Sequence, residues 1–166
     1  HRDLHSFPTR RSSDLFAGLE VSVRGNPDAL DVQKIDRPDG AYDFISLTQV
    51  LEFVPNDQLA FDELIRILSP RGFLHLVLSA PLSRETSTDY PTATGLYQYY
   101  HLYGRDFAHR FRLAERGLHL SIVEVPDPVT GVMEVVHFVA RSAEIVRELQ
   151  KLLTSDPPCS ELSSRL

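Results

Sequence analysis

The sequence contains one cysteine, Cys159, in 166 residues. It can therefore form no internal disulfide, and it offers no cysteine-rich site to a metal. Basic charge is also short: 17 Lys and Arg stand against 23 Asp and Glu, for a net charge of −6. Such a chain has no surplus of positive charge to attract phosphates, which argues against a nucleic-acid partner. No apolar run approaches the roughly 20 residues needed to cross a bilayer. The first residues lack the apolar core of a secretory signal, and no internal repeat is visible. Together these absences lead us to expect a chain that is not exported, sits in a reducing cytoplasmic setting, and partners neither membrane nor nucleic acid. None of them fixes an oligomeric state.

What is present suits a folded domain. Hydrophobic residues make up 42% and charged residues 24%, the balance of an ordinary globular protein, and the length allows one core rather than two. Residues 1–15, HRDLHSFPTRRSSDL, show no hydrophobic period of 2 or 3.6. The run Phe7 to Leu15, FPTRRSSDL, resembles the translation of a short-read sequencing adapter, so this segment is set aside as non-native. The alternative is a natural basic arm carrying Arg2, Arg10 and Arg11. The expected organisation is residues 1–15 as that segment, 16–141 as the domain, and 142–166 as a short helix with a disordered tail.

From Phe16 the text changes to FAGLEVSV, an apolar run closed by Arg24-Gly25-Asn26-Pro27, which reads as a strand over Phe16 to Val23. Phe44 to Leu47 and Phe73 to Ser79 have the length and composition of strands buried on both faces, the habit of parallel sheets. Between them, Asn56 is a plausible N-cap for a helix carrying Leu59, Phe61, Leu64, Ile65 and Leu68, which stops at Ser69-Pro70-Arg71-Gly72. Strand, helix, strand is a crossover unit. The polar segment Leu82 to Gly95 is long for a connection and reads as mobile or functional. A helix is expected from about Gly104 to Glu115, ended by Gly117. Leu118 to Val125 and Val132 to Ala140 read as an antiparallel pair joined by PDPVTG.

The stretch Pro38 to Pro81, PDGAYDFISLTQVLEFVPNDQLAFDELIRILSPRGFLHLVLSAP, resembles the central signature of class I S-adenosylmethionine-dependent methyltransferases of the type 11 group. Family members read PDGSFDVV, a VLEHV-type motif, and a helix ending in LKPGG. The corresponding pieces here are Pro38 to Ile45, Val50 to Val54, and Leu68 to Gly72, with Phe53 in place of the usual histidine and Arg71 in place of the first glycine. The segment HLYGRDFAHRFRLAERG is similar to the YGRDF…AAGF text of small-molecule methyltransferases. The resemblance implies an α/β fold: a Rossmann-like methyltransferase sheet, order 3-2-1-4-5-7-6, with parallel strands and a C-terminal antiparallel pair. It implies S-adenosylmethionine as the methyl donor and a small molecule as the acceptor.

The resemblance also assigns residues. Glu20 stands where a carboxylate accepts from the ribose hydroxyls; by itself it reads equally as an exposed acid at a strand end. Asp31 and the amide of Val32 stand where the family meets the adenine edge, although Asp31 also suits a turn. Ser46, Leu47 and Thr48 fall at the carboxyl end of a parallel strand, where open α/β sheets bind ligands. His101, among Tyr97, Tyr99, Tyr100 and Tyr103, is the candidate general base in the region of the substrate cap, or else a histidine packed for structural reasons. His75 reads as structural, His109 and His119 lack ligand spacing, and no metal site is expected.

No GxGxG precedes Phe16, so the family's first strand and glycine loop are expected to be missing from this chain. Only glycine lets backbone pass so close to the cofactor. We therefore expect cofactor binding by residues 1–166 to be too weak for calorimetry. Two other functions fit the same text: a catalytically dead Rossmann-like binding or scaffolding module, and a nucleotide-dependent dehydrogenase-type domain.

Overall fold

A computed structural model describes Glu20, Ser22 and residues 29–95, 98–126 and 131–154. The chain divides into one unit up to Asp31 and a second from Val32 onward. The strand expected over Phe16 to Val23 lies outside the described residues apart from Glu20 and Ser22. In the first unit the Ser22 hydroxyl accepts from the Leu30 backbone N–H at 2.8 Å.

In the second unit, β1 (Tyr42–Thr48) runs parallel to β2 (Leu68–Val77). Between them lie a 3-10 turn, Leu51–Phe53, and helix α1, Asp57–Ile67. The expected cap is in place: Asn56 Oδ1 accepts from the Leu59 N–H at 3.0 Å. Ala60, Phe61 and Leu64 form the buried stripe of α1, while Leu59, expected on that stripe, is exposed. The SPRG segment does more than stop the helix, because β2 already begins at Leu68. Its register jumps from Tyr42 opposite Leu68 to Phe44 opposite Phe73, so Ser69 to Gly72 bulge out of the ladder. Pro70 has no N–H to give a ladder, and the bulge accommodates it.

After a second 3-10 turn, Pro81–Ser83, the polar segment forms a hairpin of β3 (Thr88–Thr94) and β4 (Tyr99–Leu102), paired antiparallel as a separate sheet. Within the segment read as mobile or functional, residues 88–94 are thus a strand. The helix expected from Gly104 to Glu115 is also corrected. Only α2, Phe107–Arg110, is helical, and turns follow to Gly117. Phe111 and Leu113 are both buried, yet two residues apart they would point to different sides of a helix. Arg112 breaks it with φ +48. Gly117, at φ +64, closes the turn as Leu118 N–H bonds Leu113 O at 2.8 Å.

The antiparallel pair is as expected: β5 (His119–Pro126) with β6 (Met133–Ala140), and β6 also pairs antiparallel with β2. The described sheet therefore has the order β1-β2-β6-β5. This is the 4-5-7-6 portion of the order that the resemblance implies. Alternation divides its faces. Leu47, Leu74, Leu76 and Val139 meet Phe61, Phe107 and Phe111 in the main core. Val77, Val123, Val136 and Phe138 form a second cluster on the other side, with Leu149 of helix α3 (Ala143–Thr154) packed against it. Each such large apolar side chain contributes about 1.5 to 3 kcal/mol when fully buried.

Candidate cofactor and acceptor site

The carboxyl ends of β1 and β2 are the place to look, since parallel strands present their ligand crevice there. Ser46 and Thr48 share one face of β1 and are exposed, whereas the Leu47 side chain is in the core. Leu47 could reach a ligand only through its backbone. Ser46 Oγ lies 2.9 Å from Nδ1 of His75, its register partner on β2. Burial pulls the His75 pKa down, which favours a neutral ring that can accept from the serine. The chain then leaves β1 through Gln49, at φ +51, whose N–H bonds Val77 O at 2.8 Å.

Val32 lies in a coil strapped to α1. Asn56 N–H donates to Gln33 Oε1 at 3.0 Å, and Ile35 N–H donates to Glu63 Oε2 at 2.9 Å. Arg66 reaches the Ile35 and Arg37 carbonyls at 2.8 and 2.7 Å while pairing with Glu63. The Arg66 hydrogen bond holds the Glu63 pKa down at about 2. Glu20 and Asp31, both exposed, belong to the first unit.

His101 is buried, and both of its ring nitrogens are engaged. Nδ1 lies 2.7 Å from Asp89 Oδ1 and 3.2 Å from Arg110 Nη2, and Nε2 donates to the Val54 carbonyl at 3.0 Å. Arg110 is the hub. Its Nε donates to Asp57 Oδ2 at 2.7 Å and its terminal nitrogens to Asp89 at 2.7 and 3.1 Å. The Tyr103 hydroxyl also donates to Asp57, at 3.1 Å. Burial opposes the Arg110 charge, but Asp57 and Asp89 outweigh it and raise the pKa. In return Arg110 lowers that of Asp89. The network ties the hairpin to the start of α1 and to α2. Proton acceptance by His101 would require the Asp89 contact to open.

Phe53, in the position of the family's histidine, packs against Tyr99 of the hairpin with the rings tilted by 31° and centroids 5.1 Å apart. The adjacent Glu52 has no exposed surface, and its Oε1 accepts from the Ser79 N–H at 2.7 Å. Reading the sequence missed Glu52, Asp57, Asp89 and Arg110. Glu52 and Asp57 sat within the matched motif and its helix start, whereas nothing local marks Asp89 or Arg110. No helix among the described residues is long and apolar enough to cross a membrane.

Residues 20–76 match the family model described as a methyltransferase domain, of the type 11 group. Among solved structures the chain is similar to an S-adenosylmethionine-dependent methyltransferase from Methanosarcina mazei, at 16% identity over 68% of this chain and 65% of that one, with a TM-score of 0.46. It is similar to the 1,6-didemethyltoxoflavin-N1-methyltransferase of Burkholderia thailandensis, bound to 1,6-didemethyltoxoflavin and S-adenosylhomocysteine, at 17% identity over 67% and 48%, TM-score 0.46. A possible histamine N-methyltransferase from Thermotoga maritima is similar at 13% identity over 67% and 61%, TM-score 0.48. The chain spans between about half and two thirds of these proteins' lengths. No curated protein matches it. Residues 20–76 thus read as methyltransferase-domain sequence, and the strand order described above is the 4-5-7-6 portion of the sheet that the resemblance implies.

Proposed function

We propose that the domain serves methyl transfer from S-adenosylmethionine to a small-molecule acceptor. The observation that carries this reading is the coincidence of the matched segment, residues 20–76, with the parallel β1–β2 pair, whose carboxyl end exposes Ser46 and Thr48. The cofactor supplies an activated methyl group on a sulfonium centre, so the chain's main task is to hold donor and nucleophile in line. The residues fit such a ligand in kind. Glu20 and Asp31 are exposed carboxylates, suited to accept from ribose hydroxyls and the adenine amino group respectively. The Val32 amide is a donor for a ring nitrogen, and Ser46, Leu47 and Thr48 offer backbone and hydroxyl groups to the amino-acid end. His101 is proposed as the group that receives the acceptor's proton once its Asp89 contact opens. The Phe53–Tyr99 pair suits a flat acceptor.

S-Adenosylhomocysteine titrated into the full chain and followed by amide NMR tests the reading. The expected result is weak, saturable shifts that include Val32 and Ser46 to Thr48. In a longer form of the protein that binds the cofactor measurably, Glu20→Ala should weaken binding by about 1.5 to 3 kcal/mol, roughly tenfold to a hundredfold. Absence of any shift at these residues at high ligand concentration would sink the proposal, and saturable shifts with a nicotinamide dinucleotide instead would favour the dehydrogenase-type reading.

A further inference from the structure

Glu52 lies in the turn after β1, and Ser79 follows β2. The strands are parallel, so both residues stand at the same end of the sheet. Glu52 Oε1 accepts the Ser79 N–H, while two further atoms of the same pair, Glu52 Oε2 and Ser79 Oγ, are buried without any hydrogen-bond partner. An ionised carboxylate can only accept, and a buried oxygen with no donor bears its full desolvation cost. A proton on Oε2 removes the charge and creates a donor; as placed, Oε2 and Ser79 Oγ are not hydrogen-bonded to each other, so the pairing takes a side-chain rotation of the residue that already holds Oε1. The hydroxyl oxygen of that residue can accept it.

We propose that the folded chain holds Glu52 as the neutral acid, with Oε2–H donating to Ser79 Oγ, so that one uncharged side chain fastens the turn after β1 to the end of β2. The fastening has something to hold. Gln49 and Ala80, which lead the chain away from the two strands, are both left-handed without being glycine, at φ +51 and +45. Glu52 is thus a positioning residue for the loops at the carboxyl ends of the parallel strands. The brace belongs to the fold and is independent of whether methyl transfer is the chain's activity.

The surroundings agree. Burial raises the Glu52 pKa from 4.5, against the opposing pull of the Ser79 groups and of His101 on β4. The other ionisable groups packed around this turn and Ser79 are Asp57 on α1, Tyr103 after β4, Arg110 on α2, and Arg84, whose guanidinium donates to the Tyr103 carbonyl at 2.8 Å and reaches the Ser79 carbonyl at 3.5 Å. Arg110 is committed to Asp57 and Asp89, and burial holds the Tyr103 phenol neutral, with the Asp57 charge acting in the same direction. A carboxyl raised in this way contributes stability that is full below pH 4.5 and is lost as the pH rises through its folded-state pKa.

Thermal unfolding of the full chain across pH, for wild type, Glu52→Gln and Glu52→Ala, decides the matter. Gln keeps the side chain neutral, with a carbonyl acceptor and an amide group that can donate where the acid's O–H would. Relative to the Gln variant, the wild-type midpoint should fall by several degrees as the pH rises through that window, and the Ala variant should lie below both throughout. Parallel wild-type and Gln curves, or a Gln variant as unstable as Ala, would overturn the proposal. Should the Ala variant not fold, the wild-type and Gln curves suffice. Carbon-13 titration of the wild-type carboxyls gives a second readout: a glutamate signal, absent from the Gln variant, that starts to titrate well above 4.5 supports the brace, and its absence refutes it.

Discussion

At the residue scale, Arg110 holds more of the structure together than its place in the sequence suggests. Its guanidinium is mostly covered and lies against Asp57, which is more deeply buried still. Such a pair is weak evidence of net stabilisation, because desolvation offsets much of the attraction, but removing one partner strands the other charge. Arg110→Ala is therefore expected to lower unfolding free energy by about 3 to 5 kcal/mol in urea titration, with the hairpin's amide exchange accelerating in step. A loss under about 1 kcal/mol would mean that water already reaches Asp57. The same network explains why His101 was visible in the sequence and its circumstances were not. Four tyrosines around one histidine mark an aromatic neighbourhood, but Val54 and Asp89, its hydrogen-bond partners, lie 47 and 12 residues away.

At the element scale, apolar runs were a sound guide to the strands of the four-stranded sheet, missed β3 and β4, and were a poor guide to helix length. The apolar runs at Phe44 and Phe73 became parallel strands, but only β2 is largely covered on both faces; β1 exposes Phe44, Ser46 and Thr48 on one face. GRDFAHRFRLAE carries helix formers mainly in its second half, yet burial of both Phe111 and Leu113 goes with the break at Arg112. Packing outweighed propensity there, which amounts to only tenths of a kcal/mol per residue. The bulge in β2 makes a sharper demand. A Cβ on Gly72 would stand 2.8 Å from the Asp43 carbonyl oxygen and equally close to a Leu68 methyl. Gly72→Ala should therefore cost about 1 to 3 kcal/mol, read as a lower denaturation midpoint. An unchanged midpoint would show that the bulge moves freely.

At the scale of the whole molecule, pH separates the two deepest ionisable groups of the sheet end and the sheet core. His137 on β6 is almost fully buried, packs on Phe107 at 5.0 Å, and leaves Nδ1 without a partner. Burial lowers its pKa to about 4, from 6.5. A lowered base makes the unfolded chain the better proton binder, so stability is full above pH 6.5 and falls on acidification towards about pH 4. The loss should be about 3 kcal/mol. His137→Leu should remove this acid slope in denaturant titrations, while leaving the opposite slope assigned to Glu52; an unaltered slope would place the acid sensitivity elsewhere. The amino-acid sequence by itself determined the strand, helix, strand unit, the Asn56 cap, the antiparallel terminal pair and the family resemblance of residues 20–76, because runs, caps and motifs act within a few residues of themselves. Only the tertiary structure decided that the polar segment becomes a hairpin, that Arg110 joins Asp57 across 53 positions, and that Glu52 meets Ser79. Those outcomes depend on which distant groups the packed sheet and helices remove from water together, and no local window of sequence contains that information.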